Sequence, residues 1–263
     1  MDGFDLGNFA VVTSSSLAAV VVILTVTAVI GFRIGRHNVV DVSWGAGFVA
    51  VALTAAFTGS GDGWRRILLL VLVGAWGTRL AVSMFRRSRG KGEDPRYEKM
   101  LSNAPGNPAL YAVRKIYLTQ AAALWFVSLP VQVSAAATGS FGIVATLGVI
   151  VWLVGIVFET VGDKQMDDFK ADPSTEGIMD RGLWRYTRHP NYFGDACVWW
   201  GIFLISAAQW PGVLTVLSPV AMTYFLVFAT GARLMEQHMA ERDGYREYQE
   251  RTSYFIPLPP RKK

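Results

Sequence analysis

The chain has 263 residues, of which 52% are hydrophobic and 17% are charged, and its formal net charge is +5. The long uninterrupted apolar runs exclude an ordinary soluble globular protein and are typical of an integral membrane protein. A single cysteine, Cys197, excludes an intramolecular disulfide and makes a cysteine-based metal site untenable, so no metal is expected.

Seven stretches of the chain meet or approach the length of about 20 residues that an α-helix needs to cross about 30 Å of hydrocarbon. In chain order they span residues 9–32, 39–58, 67–85, 110–135, 140–161, 192–209 and 212–232. The longest polar stretches are too short to fold separately. The sequence therefore predicts an all-α, seven-helix membrane bundle in a single domain, 1–263, with a polar tail over 233–263.

The basic residues follow the predicted helices. The connections after the first, third and fifth helices and the tail hold 20 of the 25 Lys and Arg residues, and Arg114 and Lys115 at the start of the fourth predicted helix bring the number on that side to 22. By the positive-inside rule, the amino terminus then lies outside and the tail lies in the cytoplasm of a multi-pass protein of the cell membrane. This distribution explains the positive charge without a nucleic-acid partner.

Five polar residues fall within or at the ends of the predicted helices, where a charge costs at least roughly 2.5 to 3.5 kcal/mol near the bilayer centre. They are Asp41, Arg79, Gln120, Glu159 and Asp195. One interpretation is that they only join helices, with Asp41 or Glu159 neutralising the Arg79 charge. Five such residues in one bundle favour a functional site.

The aromatic residues nearest to these charges are predicted to line a cavity. Trp44 follows Asp41, and Trp76 precedes Arg79 by three positions. We therefore predict that Asp41, Trp44 and Gln120 contact a hydrophobic substrate.

The connection between the fifth and sixth helices is rich in cations and hydrogen-bond donors, which suits an anionic ligand. Lys164 and Lys170 can contact separated phosphates, and Arg185 and Arg188 share a face if this stretch is helical. Attachment to acidic lipid headgroups explains the charge equally well, so this alternative stays open.

The segment "RHPNYFGD" ends this connection and predicts the start of a helix at Pro190, where a missing N–H costs little. The amino end of that helix favours an anionic or carbonyl-bearing ligand, and Asn191 can both donate and accept hydrogen bonds. Gly194 leaves room for close approach, and Asp195 lies in the same region. His189 alone is weak evidence for catalysis.

With these residues the sequence resembles the DUF1295 group of membrane proteins and is similar to the carboxyl-terminal half of steroid 5α-reductases. The matching segments are "NVVDVSWG" (38–45), "WGTRL" (76–80), "EDPRY" (93–97), "FETVGDKQMDDFK" (158–170), "GLWRYTRHPNYFGD" (182–195), "WWG" (199–201) and "GYREYQERTSYFIPLPP" (244–260). The resemblance implies a seven-helix bundle that binds NADPH in its cytoplasmic half and reduces a C=C bond conjugated to a carbonyl in a steroid-like or other lipid substrate.

The resemblance also implies roles for individual residues. Asp195 stands where these reductases have a catalytic Glu, and Trp76 stands roughly where they have its Tyr partner. Asp195 can donate a hydrogen bond only in its protonated form, which apolar surroundings favour. The positions that match residues near the dinucleotide are Arg79, Asp163, Lys170, Tyr186, Arg188, Asn191 and Tyr248. Lys164 and His189 join this predicted cofactor site, to which the tail contributes, and Glu159 replaces an Asn there.

Two other functions remain open from the sequence. Membrane methyltransferases that use S-adenosylmethionine carry a similar Arg-His-Pro-x-Tyr element, although they usually have a Glu pair where this chain has Glu236 beside Gln237. A protein that binds or transports lipids without catalysis would also place charges inside the membrane. The sequence does not identify the substrate lipid or the oligomeric state.

Overall fold

The computed structural model describes residues 3–174, 177–229 and 231–261. The fold is all-α, with 75% of the chain in helices and no strand among these residues, which confirms the predicted class. The α-helices are α1 (Leu6–Ile34), α2 (Val40–Thr58), α3 (Gly63–Ser88), α4 (Pro95–Ser102), α5 (Pro108–Ala112), α6 (Thr119–Val127), α7 (Leu129–Ala135), α8 (Ile143–Ala171), α9 (Pro190–Ala207), α10 (Leu217–Tyr224), α11 (Ala232–Met239) and α12 (Tyr245–Arg251). Two π-helical turns, Val113–Leu118 and Phe225–Ala229, and two 3-10 turns, Gly182–Arg185 and Gly212–Val216, lie between them.

Five described helical segments are long and apolar enough to cross a membrane, and a bent pair makes six if it forms one span. The five are Leu6–Ile34, Val40–Thr58, Gly63–Ser88, Ile143–Ala171 and Gly212–Met239, and the bent pair is Pro108–Val127 with Leu129–Ala135. Helix α9 corresponds to the sixth predicted span but is not among them, because its first turns contain the polar residues Asn191 and Asp195. Its start at Pro190 agrees with the sequence prediction.

Two predicted helices are less regular than expected. The helix predicted over 110–135 contains a π-helical turn and then bends by 47° at Ser128. Pro130 lies in the first turn of α7, where proline lacks an N–H and its ring disturbs the preceding turn. The helix predicted over 212–232 consists instead of a 3-10 turn, α10 and a π-helical turn.

Helix α8 continues ten residues past its predicted end at 161, as far as Ala171. The added turns are polar and include the ion pair between Lys164 and Asp168, four residues apart. Such pairs support a helix that has left the apolar region, since side chains at this spacing are neighbours on its surface. The predicted cofactor residues Asp163, Lys164 and Lys170 are therefore helical.

The chain divides into two compact units. The first contains Met1–Phe141 and Ser206–Thr215, and the second contains Gly142–Ile205 and Val216–Lys263. In the first unit the backbones of α2 and α3 lie so close at Gly45 that a Cβ atom added there would be 2.2 Å from the carbonyl oxygen of Gly77.

In the second unit α8 and α9 pack along glycines that recur every seven residues. Gly148 and Gly155 of α8 face Gly201 and Gly194 of α9, and an added Cβ on any of the four would be within 2.7 Å of the opposite backbone. Gly162 continues the same face against Pro190. Small residues at such an interface let two helix backbones approach in a membrane. This antiparallel pair positions the polar residues described next.

Candidate functional site

The α8–α9 pair holds a group of polar side chains, which we call the acid cluster: the buried acids Glu159, Asp163 and Asp195, and the half-buried Asn191. The three acids are 4%, 8% and 7% exposed, respectively. The Asn191 side-chain amide donates a hydrogen bond to Asp163 Oδ1 at 3.3 Å. A Cβ added to Gly194 would lie 2.9 Å from Glu159 Cβ, so the glycine packing brings the two helices together at this level. The sequence predicted Asp163, Asn191 and Asp195 as site residues, and the fold places all three on this helix pair.

A second cluster in the same unit surrounds the carboxylate of Glu236 on α11. Arg188 approaches it in a bidentate manner, with Nε 2.8 Å from Oε1 and Nη2 3.1 Å from Oε2. The Tyr245 hydroxyl donates to Oε1 at 2.8 Å, His189 Nε2 lies 3.0 Å from the same oxygen, and Gln249 Nε2 donates to Oε2. Charge-assisted, bidentate contacts of this kind are the strong class of protein hydrogen bonds. We call this group the Glu236 hub.

The remaining donors of Arg188 hold the tail. Its Nη1 donates to the carbonyl oxygens of Gln249 and Thr252 at 3.1 and 2.6 Å, which satisfies acceptors at the carboxyl end of α12. Its backbone N–H donates to Ser253 at 2.9 Å, and Leu258 N–H donates to the Tyr186 carbonyl at 3.0 Å. Arg188, predicted to lie near the dinucleotide, is therefore engaged by Glu236 and by the tail.

Two other predicted cofactor residues also have structural partners. His189 is buried, contacts Glu236 and stacks on Tyr192 with ring centroids 5.7 Å apart. The Tyr248 hydroxyl is buried and donates to the carbonyl oxygen of Trp184. Burial raises the pKa of the Tyr248 phenol above its usual value, and burial together with the hydrogen bond to Glu236 does the same for Tyr245. Both phenols therefore remain protonated donors at neutral pH.

The other predicted cofactor residues of this unit lie at the surface. Lys164 is 73% exposed in its side chain and pairs with Asp168 at 2.7 Å. Lys170 and Tyr186 are exposed, as is Arg185, a further cation of the same connection. Neither Lys170 nor Arg185 forms an ion pair with a described residue, so these two cations can meet a phosphate without losing a partner.

Sequence reasoning missed the centre of the hub. From the sequence, Glu236 entered only the comparison with methyltransferases. Neither Tyr245 nor Gln249 was predicted as a site residue. The adjacent Arg188 and His189 could have indicated an acidic partner, because a buried cation requires one. However, the segment after residue 232 offers five acids, Glu236, Glu241, Asp243, Glu247 and Glu250, and spacing does not choose among them.

The predicted substrate residues lie in the first unit. Trp44 Nε1 donates to Gln120 Oε1 at 2.6 Å, which joins α2 to α6. The Trp44 ring packs against Phe48, which packs against the fully buried Trp76, with ring centroids 5.6 and 5.4 Å apart. Trp44, Phe48 and Trp76 thus form one aromatic group, to which Gln120 is hydrogen-bonded through Trp44. Arg79 lies half-buried on α3, three residues after Trp76.

Asp41 takes part in a separate polar contact. Its Oδ1 accepts a hydrogen bond from the Tyr97 hydroxyl at 3.1 Å, and its Oδ2 lies 3.8 Å from Arg96. Burial and the nearby Asp41 carboxylate raise the pKa of Tyr97 above its usual value. Hydrogen bonds from Arg96 lower the pKa of Asp94. The segment "EDPRY" therefore closes over the start of α2.

The fold and the acid cluster define an all-α protein with candidate membrane-spanning helices and with buried acids on the α8–α9 pair. The chain belongs to the DUF1295 family, described as a protein of unknown function, whose model matches residues 27–252. It is also similar to an uncharacterized protein of Schizosaccharomyces pombe, at 24% identity over 73% of this chain. The chain spans 64% of that relative's length. No solved structure matches it.

Proposed function

We propose that this protein is a membrane-embedded reductase that transfers a hydride from NADPH to a C=C bond conjugated to a carbonyl in a steroid-like or other lipid. In this proposal α9 also crosses the membrane and brings the number of spans to seven. The amino terminus lies outside and the tail is cytoplasmic. The support is the resemblance of the motifs together with one structural observation. That observation is the buried acid cluster between two closely packed helices.

The proposed reaction needs a hydrogen-bond donor at the substrate carbonyl. NADPH, when bound, would supply the hydride for the β-carbon and become NADP⁺; the negative charge would then develop on the carbonyl oxygen, and a proton from water would complete the α-carbon. A donor aimed at that oxygen stabilises the transition state more than the ground state. We assign this role to Asp195, which is 7% exposed, in its protonated form.

The donors at the surface of the second unit fit a phosphorylated dinucleotide. A 2′-phosphate and a pyrophosphate need Arg or Lys, which Lys170 and Arg185 provide without breaking an ion pair to a described residue. Asn191 offers an amide for the uncharged part of the cofactor. Arg188 contributes indirectly by holding the tail through the Glu236 hub.

Thermal stabilisation of the detergent-purified protein by NADPH, NADH and S-adenosylmethionine tests the cofactor. A ligand that binds only the native state raises apparent stability with its concentration. We expect NADPH to stabilise the protein and the Lys170→Gln/Arg185→Gln variant to need at least tenfold more of it. Lys164→Gln is the matched control, because Lys164 already pairs with Asp168. Stabilisation by S-adenosylmethionine alone would support the methyltransferase alternative and overturn the reductase.

The Asp195→Leu variant tests the reaction. Leucine keeps the branched shape of the side chain but removes the hydrogen-bond donor from the substrate carbonyl. We expect this variant to bind NADPH normally and to lose at least tenfold in the rate of NADPH oxidation with an α,β-unsaturated ketosteroid as probe. Stabilisation by lipid without stabilisation by any cofactor would indicate a non-enzymatic lipid-binding or transport protein.

A further inference from the structure

A small cavity in the first unit lies outside the proposed reductase site. It measures about 200 Å³ and is lined by Pro105, Asn107, Leu110, Tyr111, Arg114 and Lys115. Asn107, Leu110, Tyr111, Arg114 and Lys115 are separated by three or four positions from one helical turn to the next. Residues at this spacing lie on the same face of a helix. The π-helical turn Val113–Leu118 carries the two cations. Such turns are rare and frequently occur at functional sites.

Several basic residues of the protein have an acidic partner, which the cations of this cavity do not have among the described residues. Arg96, Arg188 and Arg251 each pair with an acid. Arg114 and Lys115 are exposed and form no ion pair with any residue that the structure describes. Two adjacent unpaired cations at an open cavity attract a compact anion.

The neutral residues of the lining add donors of fixed direction. Asn107 Oδ1 accepts hydrogen bonds from the backbone N–H groups of Ala109 and Leu110 at 2.9 and 3.3 Å. A backbone N–H can only donate, so the oxygen of the Asn107 amide faces the helix and its NH₂ group faces away. The Tyr111 hydroxyl can also donate.

The size and surroundings of the cavity narrow the choice of ligand. Pockets for drug-sized ligands measure about 300 to 1,000 Å³, so this cavity suits a phosphate headgroup better than a sterol or a dinucleotide. Leu110 in the lining is 59% exposed, and Leu118 at the end of the same π-helical turn is 58% exposed, which gives acyl chains an apolar surface. Basic pockets at the cytoplasmic ends of membrane helices are known to bind anionic lipid headgroups.

We propose that this cavity binds the headgroup phosphate of an anionic phospholipid, with Arg114 and Lys115 contacting the phosphate and Tyr111 and Asn107 donating to its oxygens. The lipid is held at the point where the bent helix pair enters the membrane. This site is independent of the proposed reductase activity, since it requires no cofactor and none of the acid cluster.

Native mass spectrometry of the full-length protein in detergent, titrated with phosphatidylglycerol, phosphatidylcholine or free glycerol phosphate, tests this proposal. We expect one phosphatidylglycerol to bind in preference to phosphatidylcholine. A cation near a charged lipid surface contributes about 1 kcal/mol, so Arg114→Gln/Lys115→Gln is expected to weaken binding by about thirtyfold. The variant Arg89→Gln/Lys99→Gln removes the same charge from exposed positions that do not line the cavity, and we expect less than a twofold change.

Three results would overturn the proposal. Equal losses in the two variants would show a general charge effect. Equal affinity for phosphatidylcholine would exclude recognition of the anionic headgroup, and equal affinity for free glycerol phosphate would exclude a lipid site. The melting temperature of each variant without lipid must match that of the wild type. Tyr111→Phe is a second variant that keeps the net charge, and it is expected to weaken binding of phosphatidylglycerol.

Discussion

The substitution Glu236→Gln tests whether the Glu236 hub holds the tail in place. Arg188 and Glu236 have side chains that are only 10% and 13% exposed, and Nε and Oε1 are 2.8 Å apart. The substitution keeps the side-chain shape but leaves the Arg188 charge without its counter-charge. Removing one partner of a buried ion pair costs about 3 to 5 kcal/mol. Because this pair retains some exposure, we expect about 3 kcal/mol.

The chain contains a matched control for this experiment. Lys164 and Asp168 approach as closely, at 2.7 Å, but their side chains are 73% and 64% exposed. Exposed pairs at this helical spacing contribute only about 0.3 to 0.5 kcal/mol, so Asp168→Asn should change stability very little. The two variants lose the same kind of carboxylate at the same kind of distance. The two sites differ in burial and in the further contacts that Glu236 makes with His189, Tyr245 and Gln249.

Thermal unfolding in detergent and limited trypsin digestion measure the two effects. About 3 kcal/mol corresponds to a fall in melting temperature of about 6 to 12 °C for a chain of this size. Cleavage in the tail after residue 240 should also become faster, because Arg188 then holds the α12 carbonyl groups less firmly. A melting temperature for Glu236→Gln no lower than that of Asp168→Asn would refute the reasoning.

Two further predictions concern stability. Gly194→Ala should cost about 1 to 3 kcal/mol by thermal unfolding, because its Cβ would lie 2.5 Å from the Glu159 nitrogen, whereas Gly74→Ala, with nothing within 4 Å, should be neutral or stabilising. Burial lowers the pKa of His37 below 6.5, so the unfolded chain takes up a proton first as pH falls. The stability conferred by neutral His37 is therefore present above pH 6.5 and lost below it, and melting temperatures at pH 7.5 and 5.5 should show a smaller difference in His37→Gln than in a His238→Gln control.

Much of the fold follows from local sequence. Helix α1 and the other long apolar helices can be recognised from the sequence alone, because the apolar length needed to cross a bilayer is a property of a single segment. The start of α9 at Pro190 was predicted for a similarly local reason, since proline tolerates only the first turn of a helix. The bend at Ser128 was missed, although Pro130 supplied the signal.

Tertiary structure decided which polar residues form a site and which hold the protein together. The sequence placed Arg188 in the predicted cofactor site, but Glu236, 48 residues away, lies 2.8 Å from it in the fold. The same holds for the acid cluster, where the glycine packing of α8 and α9 brings Asn191 to Asp163 from 28 positions away. A residue's type and spacing state which partners it can accept. Its burial and its neighbours in space depend on how distant helices pack, and those two quantities determine what its charge does.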